Sequence, residues 1–117
     1  MIEVRLLHDS ANRLVGLVAS GHSGYARAGV DIVCAAVSAV TQAVVLGLEE
    51  VLGLSPVVRI DEEKGLLDVR LWEDGLAGDK GRGKEREALA VLETAGLALE
   101  RLAQQYPKYL SVKREMR

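Results

Sequence analysis

Ile2 to Leu7 alternates apolar and polar residues, the pattern of a half-buried β-strand. His8 to Arg13 is turn-forming, and Leu14 to Ala19 predicts a second strand, so the chain opens on a β-hairpin. A glycine-rich loop from Gly21 to Gly29 follows. From Ile32 to about Leu52 the period becomes helical, with Asp31 placed to accept first-turn N–H groups and Gly53 placed to end the helix. Val33, Val37, Val40, Val44, Leu48 and Val51 share one apolar face of it. Ala35, Ala36, Ala39 and Ala43 form a small-residue face suited to close packing, and Cys34, Ser38, Thr41, Gln42 and Glu49 gather on a third, polar side.

Pro56 to Ile60 predicts a strand, Asp61 to Gly65 a turn, and Leu66 to Leu71 an alternating strand, hence a second hairpin. Gly75, Gly78, Gly81 and Gly83 mark a loop, and Leu89, Leu92, Leu99 and Leu102 lie on a helix from about Lys84 to Gln105. Pro107 ends that helix, and Tyr109 to Lys113 predicts a last strand. The order ββαββαβ makes an α+β domain, a long central helix packed with a second helix against a small β-sheet.

Length and composition narrow this picture. A chain of 117 residues suits one domain, 1–117, because two halves would each bury too little surface. There is no Phe, so Val, Leu and Ala must fill the core. A net charge of -2 gives no reason to expect nucleic-acid binding. The basic C-terminal run Lys113 to Arg117 reads as a frayed, solvated tail. One cysteine cannot form an internal disulfide, and the start lacks a signal-peptide apolar region, so a cytoplasmic setting is expected. Ile32 to Leu48 comes nearest to a membrane span, but Ser38, Thr41 and Gln42 interrupt it and Glu49-Glu50 ends it. It reads as a buried helix.

Three patterns invite a chemical reading. Gly78 to Lys84 has the spacing of a phosphate-binding loop, but Glu85 stands where Ser or Thr should meet magnesium, and a carboxylate there repels phosphate. Two histidines and one cysteine, with His8 in a separate turn, do not match a structural zinc pattern, so no metal and no cofactor are expected. The third pattern is Cys34 with His22. Cys34 is the third residue of its helix, where the positive helix N-terminus favours thiolate, and His22 lies twelve residues upstream. The pair reads as a nucleophile and its base, or as a small buried residue and a loop histidine bonded to backbone. Gly21, Gly24 and Gly29 would let the intervening loop fold over a bound peptide, or form a plain surface turn.

The run Gly21-His22-Ser23-Gly24-Tyr25-Ala26, then Gly29-Val30-Asp31-Ile32-Val33-Cys34-Ala35-Ala36-Val37-Ser38, resembles the ribosomal-processing cysteine protease family, Prp. The stretch from Gly96 to Leu110 is similar to that family's C-terminal pattern. The resemblance implies a small bacterial cytoplasmic endopeptidase, generally a homodimer. Its members remove a short N-terminal extension from a large-subunit ribosomal protein, cutting after an aromatic-containing motif. It implies Cys34 as nucleophile, His22 as base, and Asp31 and Ser38 as supporting residues. Ser23 stands where the family often has Ala. Two other readings remain beside it: a non-catalytic dimeric module that binds ribosome or peptide, and a thiol redox sensor that uses Cys34 alone.

Overall fold

The computed structural model describes residues 1–21, 31–71 and 83–117. β1 (Ile2–His8) and β2 (Leu14–Ser20) form the first hairpin, and β3 (Val57–Asp61) and β4 (Leu66–Arg70) the second. Between them runs α1 (Ile32–Leu46), which continues as a π-helical turn over Gly47–Val51. α2 (Glu85–Gln105) and β5 (Leu110–Met116) complete the chain. The order ββαββαβ is the one the sequence pattern predicts, and the fold is α+β.

All five strands lie in one mixed sheet of order β3-β4-β2-β1-β5. Short turns force the two hairpins to be antiparallel, whereas the crossover through α2 lets β5 enter parallel to β1. β2 and β4 join the hairpins, with Leu17 opposite Val69. Ile2, Val4 and Leu6 of β1 point to one face of the sheet and meet Val33, Val37, Val44 and Leu48 of the α1 segment in the core. Leu17, Leu92 and Leu99 are fully buried there, each contributing roughly 1.5–3 kcal/mol by removal from water. α2 packs tightly on the sheet at Gly96, where an added Cβ would stand 3.2 Å from Leu14 Cδ2 and 3.3 Å from Leu6 Cδ1. The opposite face carries ion pairs, Arg5 with Glu115 at 3.0 Å and Asp68 with Arg70 at 2.8 Å.

Four details depart from the expectation drawn from the pattern. Val51 is 79% exposed, because the wider π-helical turn rotates it off the apolar face that the α-helical period assigned it. Thr41 is buried instead of joining a polar surface; its hydroxyl is satisfied by donation to the carbonyls of Val37 (3.0 Å) and Ser38 (3.1 Å). Ala35, Ala39 and Ala43 face outward and are exposed, so the small-residue face is not packed within the chain. Of the apolar window in the Ile32–Val51 helix, with mean hydropathy 1.9, only 28% is buried inside the molecule. The core takes one side of this helix and leaves another open.

The fourth departure is the basic C-terminus, which is a strand and not a tail. Arg114 stands on the helix-facing side of β5. It donates to Glu100 of α2 at 2.8 Å, to Glu93 at 3.2 Å, and toward Nε2 of His8 at 3.3 Å. His8 ends β1 and is buried; its Nδ1 faces the Asn12 carbonyl at 3.2 Å. The Arg114 hydrogen bond holds the Glu100 carboxyl below its ordinary value, against the opposing cost of burial. A lowered folded-state value means that this stability is complete above the ordinary glutamate range and is lost as pH falls through the lowered value. Arg114→Ala should therefore cost about 1 kcal/mol in urea unfolding at pH 7, since the network is partly exposed. The difference from wild type should shrink at pH 3; a difference that persists there would mean that Arg114 acts through packing alone.

Candidate active site

Local chemistry at the start of α1 places Cys34. Asp31 has an extended backbone, φ −79° and ψ 104°, and its Oδ1 accepts the Cys34 N–H at 2.9 Å while its carbonyl accepts the Ala35 N–H at 3.0 Å. This is an N-cap with Cys34 at the third helical position, where the helix begins and its dipole is strongest. The cap also commits the Cys34 amide. Among the first-turn N–H groups, those of Ile32 and Val33 carry no hydrogen bond among the described residues.

Cys34 is a half-buried free thiol on the rim of a cavity of about 340 Å³. α1 supplies one wall through Cys34, Val37, Ser38, Thr41 and Gln42. Ser38 is one turn beyond Cys34, so the two predicted residues share the wall, as the helical period requires. Ile2 and Ala19 come from the sheet, and Ile60, Asp61, Glu62, Leu66 and Leu67 from the β3–β4 hairpin. Among the described residues, the two helices do not cover the whole five-stranded sheet, and the cavity lies where they stop. β3 and β4 extend past the helix layer, and Ile60 is left 65% exposed.

Gly21, at the cavity edge, is where the glycine loop departs. Its φ is +92°, its N–H donates to the Lys64 carbonyl at 3.2 Å, and an added Cβ would fall 2.6 Å from the Met1 carbonyl oxygen. It is pinned between the first strand and the tip of the second hairpin. His22, Gly24 and Gly29 lie outside the described residues. The structure thus brings Cys34, Ser38 and Gly21 around one cavity, with Asp31 capping the helix start that carries Cys34. The hairpin residues Ile60, Asp61, Glu62 and Leu66 were not picked out from the sequence; nothing in their local pattern distinguishes them from an ordinary turn.

The other chemical patterns resolve differently. Among the described residues no group of three or more His, Cys, Asp or Glu is placed to hold a metal ion. Most of the phosphate-loop-like stretch lies outside the described residues, but Lys84 is described, and its ammonium donates to the Leu52 carbonyl beyond the π-helical turn. That lysine ties the start of α2 to the end of the preceding helix. A second cavity of about 490 Å³ lies in the outer groove between α1 and α2, lined mainly by small and apolar residues such as Val40, Ala43, Gly47, Val91 and Ala98.

Residues 1–111 match the family model described as cysteine protease Prp. The fold is similar to that of the essential ribosomal processing protease Prp from S. aureus in complex with a covalently linked product peptide. That match has a TM-score of 0.81 at 23% identity, covering 98% of this chain and 100% of that one. The S. aureus protease in complex with a substrate peptide gives a TM-score of 0.78 at 22% identity, covering 98% and 100%. SMU.848 from Streptococcus mutans gives 0.81 at 24% identity, covering 100% and 96%. No curated protein sequence matches.

Proposed function

The chain belongs to the cysteine protease Prp family, and on that premise we propose that it is an endopeptidase that removes the N-terminal extension of a bacterial large-subunit ribosomal protein. The observation that carries this reading is Cys34, half-buried at a capped helix start, on the rim of an open and largely apolar cavity. In the proposed reaction His22 takes the Cys34 proton and the thiolate attacks the scissile carbonyl. The carbon–nitrogen bond then breaks, with the proton passing to the leaving amine. Water, deprotonated by His22, hydrolyses the thioester and returns the thiol. Because the Cys34 amide is bonded to Asp31, the first-turn donors left for the developing oxyanion are Ile32 and Val33 N–H. Asp31 acts here as a cap that holds the nucleophile's backbone, and Ser38 stands where its hydroxyl can meet the thiol or the peptide. Mass spectrometry of the extended ribosomal protein after incubation with the wild-type protein should find the extension gone. A product of unchanged mass would overturn the proposal and favour a binding module.

The homodimer expected from the family resemblance is supported by the unfilled apolar groove between α1 and α2. Leu46 and Leu97 remain more than half exposed on these helices, and the small Ala side chains allow a second helix layer to approach. We infer that a second copy covers this face. Sedimentation should give a dimer for the wild type and a monomer for Ala43→Glu; a monomeric wild type at micromolar concentration would overturn it.

A further inference from the structure

Among the described residues, the charge lining the Cys34 cavity is of one sign. The wall on α1 is uncharged, Ile2, Ala19, Ile60 and Leu67 of the sheet are apolar, and the charged residues among the described lining are Asp61 and Glu62 at the tip of the β3–β4 hairpin. The two carboxylates differ in what they do. Asp61 Oδ1 is occupied by the turn itself, accepting the N–H of Glu63 at 3.1 Å and of Lys64 at 3.3 Å. Glu62 is exposed; its carbonyl accepts the Gly65 N–H at 3.2 Å, and its carboxylate makes no hydrogen bond or ion pair among the described residues. The tip as a whole holds three carboxylates, Asp61, Glu62 and Glu63, against the single ammonium of Lys64. Its position is fixed by the sheet register, Asp61 opposite Leu66, and by the bond from Gly21 N–H to the Lys64 carbonyl.

We propose that Glu62 is a specificity-determining residue that selects peptides with a cationic side chain close to the scissile bond. This rests on the endopeptidase reading above. An extended peptide advances about 3.3 Å per residue, so a cavity of this size spans roughly two residues of bound chain. A peptide whose carbonyl reaches Cys34 therefore has neighbours within reach of the hairpin tip. An apolar side chain is accommodated by Val37, Ile60 and Leu67. A lysine or arginine beside it can rest its methylene stem on the same surface and bring its charge to Glu62. An acidic neighbour would meet an uncompensated carboxylate in a partly enclosed site, where like charges repel more strongly than in open water.

The test uses the full chain and a set of peptides. Each peptide carries the ribosomal cleavage motif, with glutamine, lysine or glutamate placed singly at the three positions on either side of the scissile bond. For the wild type, lysine at one or more positions should raise kcat/KM about fivefold over glutamine, the size expected for one partly exposed charge pair. Glutamate at the same position should lower it. Glu62→Gln should remove both effects, and Glu62→Lys should invert the order. Raising the salt concentration should compress the wild-type ratios. If the lysine-to-glutamate ratio is the same in wild type and in Glu62→Lys, this assignment is overturned while the protease reading stands. If the wild type cleaves none of the peptides, both fall.

Discussion

Cys34→Ala should leave the extended ribosomal protein at full length under conditions in which the wild-type protein processes all of it, a rate loss of at least about a thousandfold. The size of the effect follows from the chemistry proposed for the site. Without sulfur there is no thioester, and among the described residues the cavity offers no second nucleophile as well placed. Ser38 is a turn away, and the Thr41 hydroxyl is held by two carbonyls. The substitution should hardly disturb the fold, because Cys34 is half-buried and the N-cap is made through its backbone N–H, which alanine retains. Unchanged thermal unfolding alongside lost cleavage therefore isolates the thiol. His22→Ala separates the remaining readings. A protease needs it, and cleavage should fall by a comparable factor; a redox sensor would still oxidise Cys34 reversibly without it. Wild-type cleavage by Cys34→Ala would remove the nucleophile assignment altogether.

Gly21→Ala should damage both stability and activity. At φ +92° an L side chain costs of order 1–3 kcal/mol, and the new Cβ would lie 2.6 Å from the Met1 carbonyl oxygen, a backbone atom and not the movable end of a side chain. Relief requires β1, Gly21 or the hairpin tip to shift, and the bond to the Lys64 carbonyl goes with it. We expect a loss of at least about 2 kcal/mol in urea unfolding. Cleavage should be lowered further than unfolding explains, because His22 is the next residue. Activity per folded molecule equal to wild type would show that the loop's departure geometry does not matter to the reaction. D-alanine introduced at the same position by semisynthesis tests the cause, since it accepts positive φ and should restore part of the stability.

How far the site could be read in advance differs from residue to residue. Asp31 and Cys34 were legible because capping is local: a carboxylate three residues before the thiol can reach its amide whatever the rest of the chain does. Ser38 was legible through the helical period. Val51 and Thr41 were misplaced for opposite reasons. A π-helical turn breaks the period that assigned Val51 to the core, and a buried hydroxyl that bonds its own helix carbonyls behaves as an apolar residue. The C-terminal run Lys113 to Arg117 looks solvated in sequence because its basic residues find partners only when a parallel strand and two glutamates on α2 are supplied. Nothing local could reveal Glu62, since its role comes from a neighbour nearly thirty residues away.

By itself, then, the sequence determined the elements, their order, the capped helix start that carries the thiol, and the family to which that motif points. These depend on periodicity, capping and turn chemistry, which act over a few residues. Only the tertiary structure decided that β5 enters parallel beside β1. It also decided that, among the described residues, the two helices leave part of the five-stranded sheet uncovered beside Cys34, and that an acidic hairpin tip lines the cavity there. Those features arise from packing between distant segments, where the contact energy depends on shape and register rather than on any local pattern.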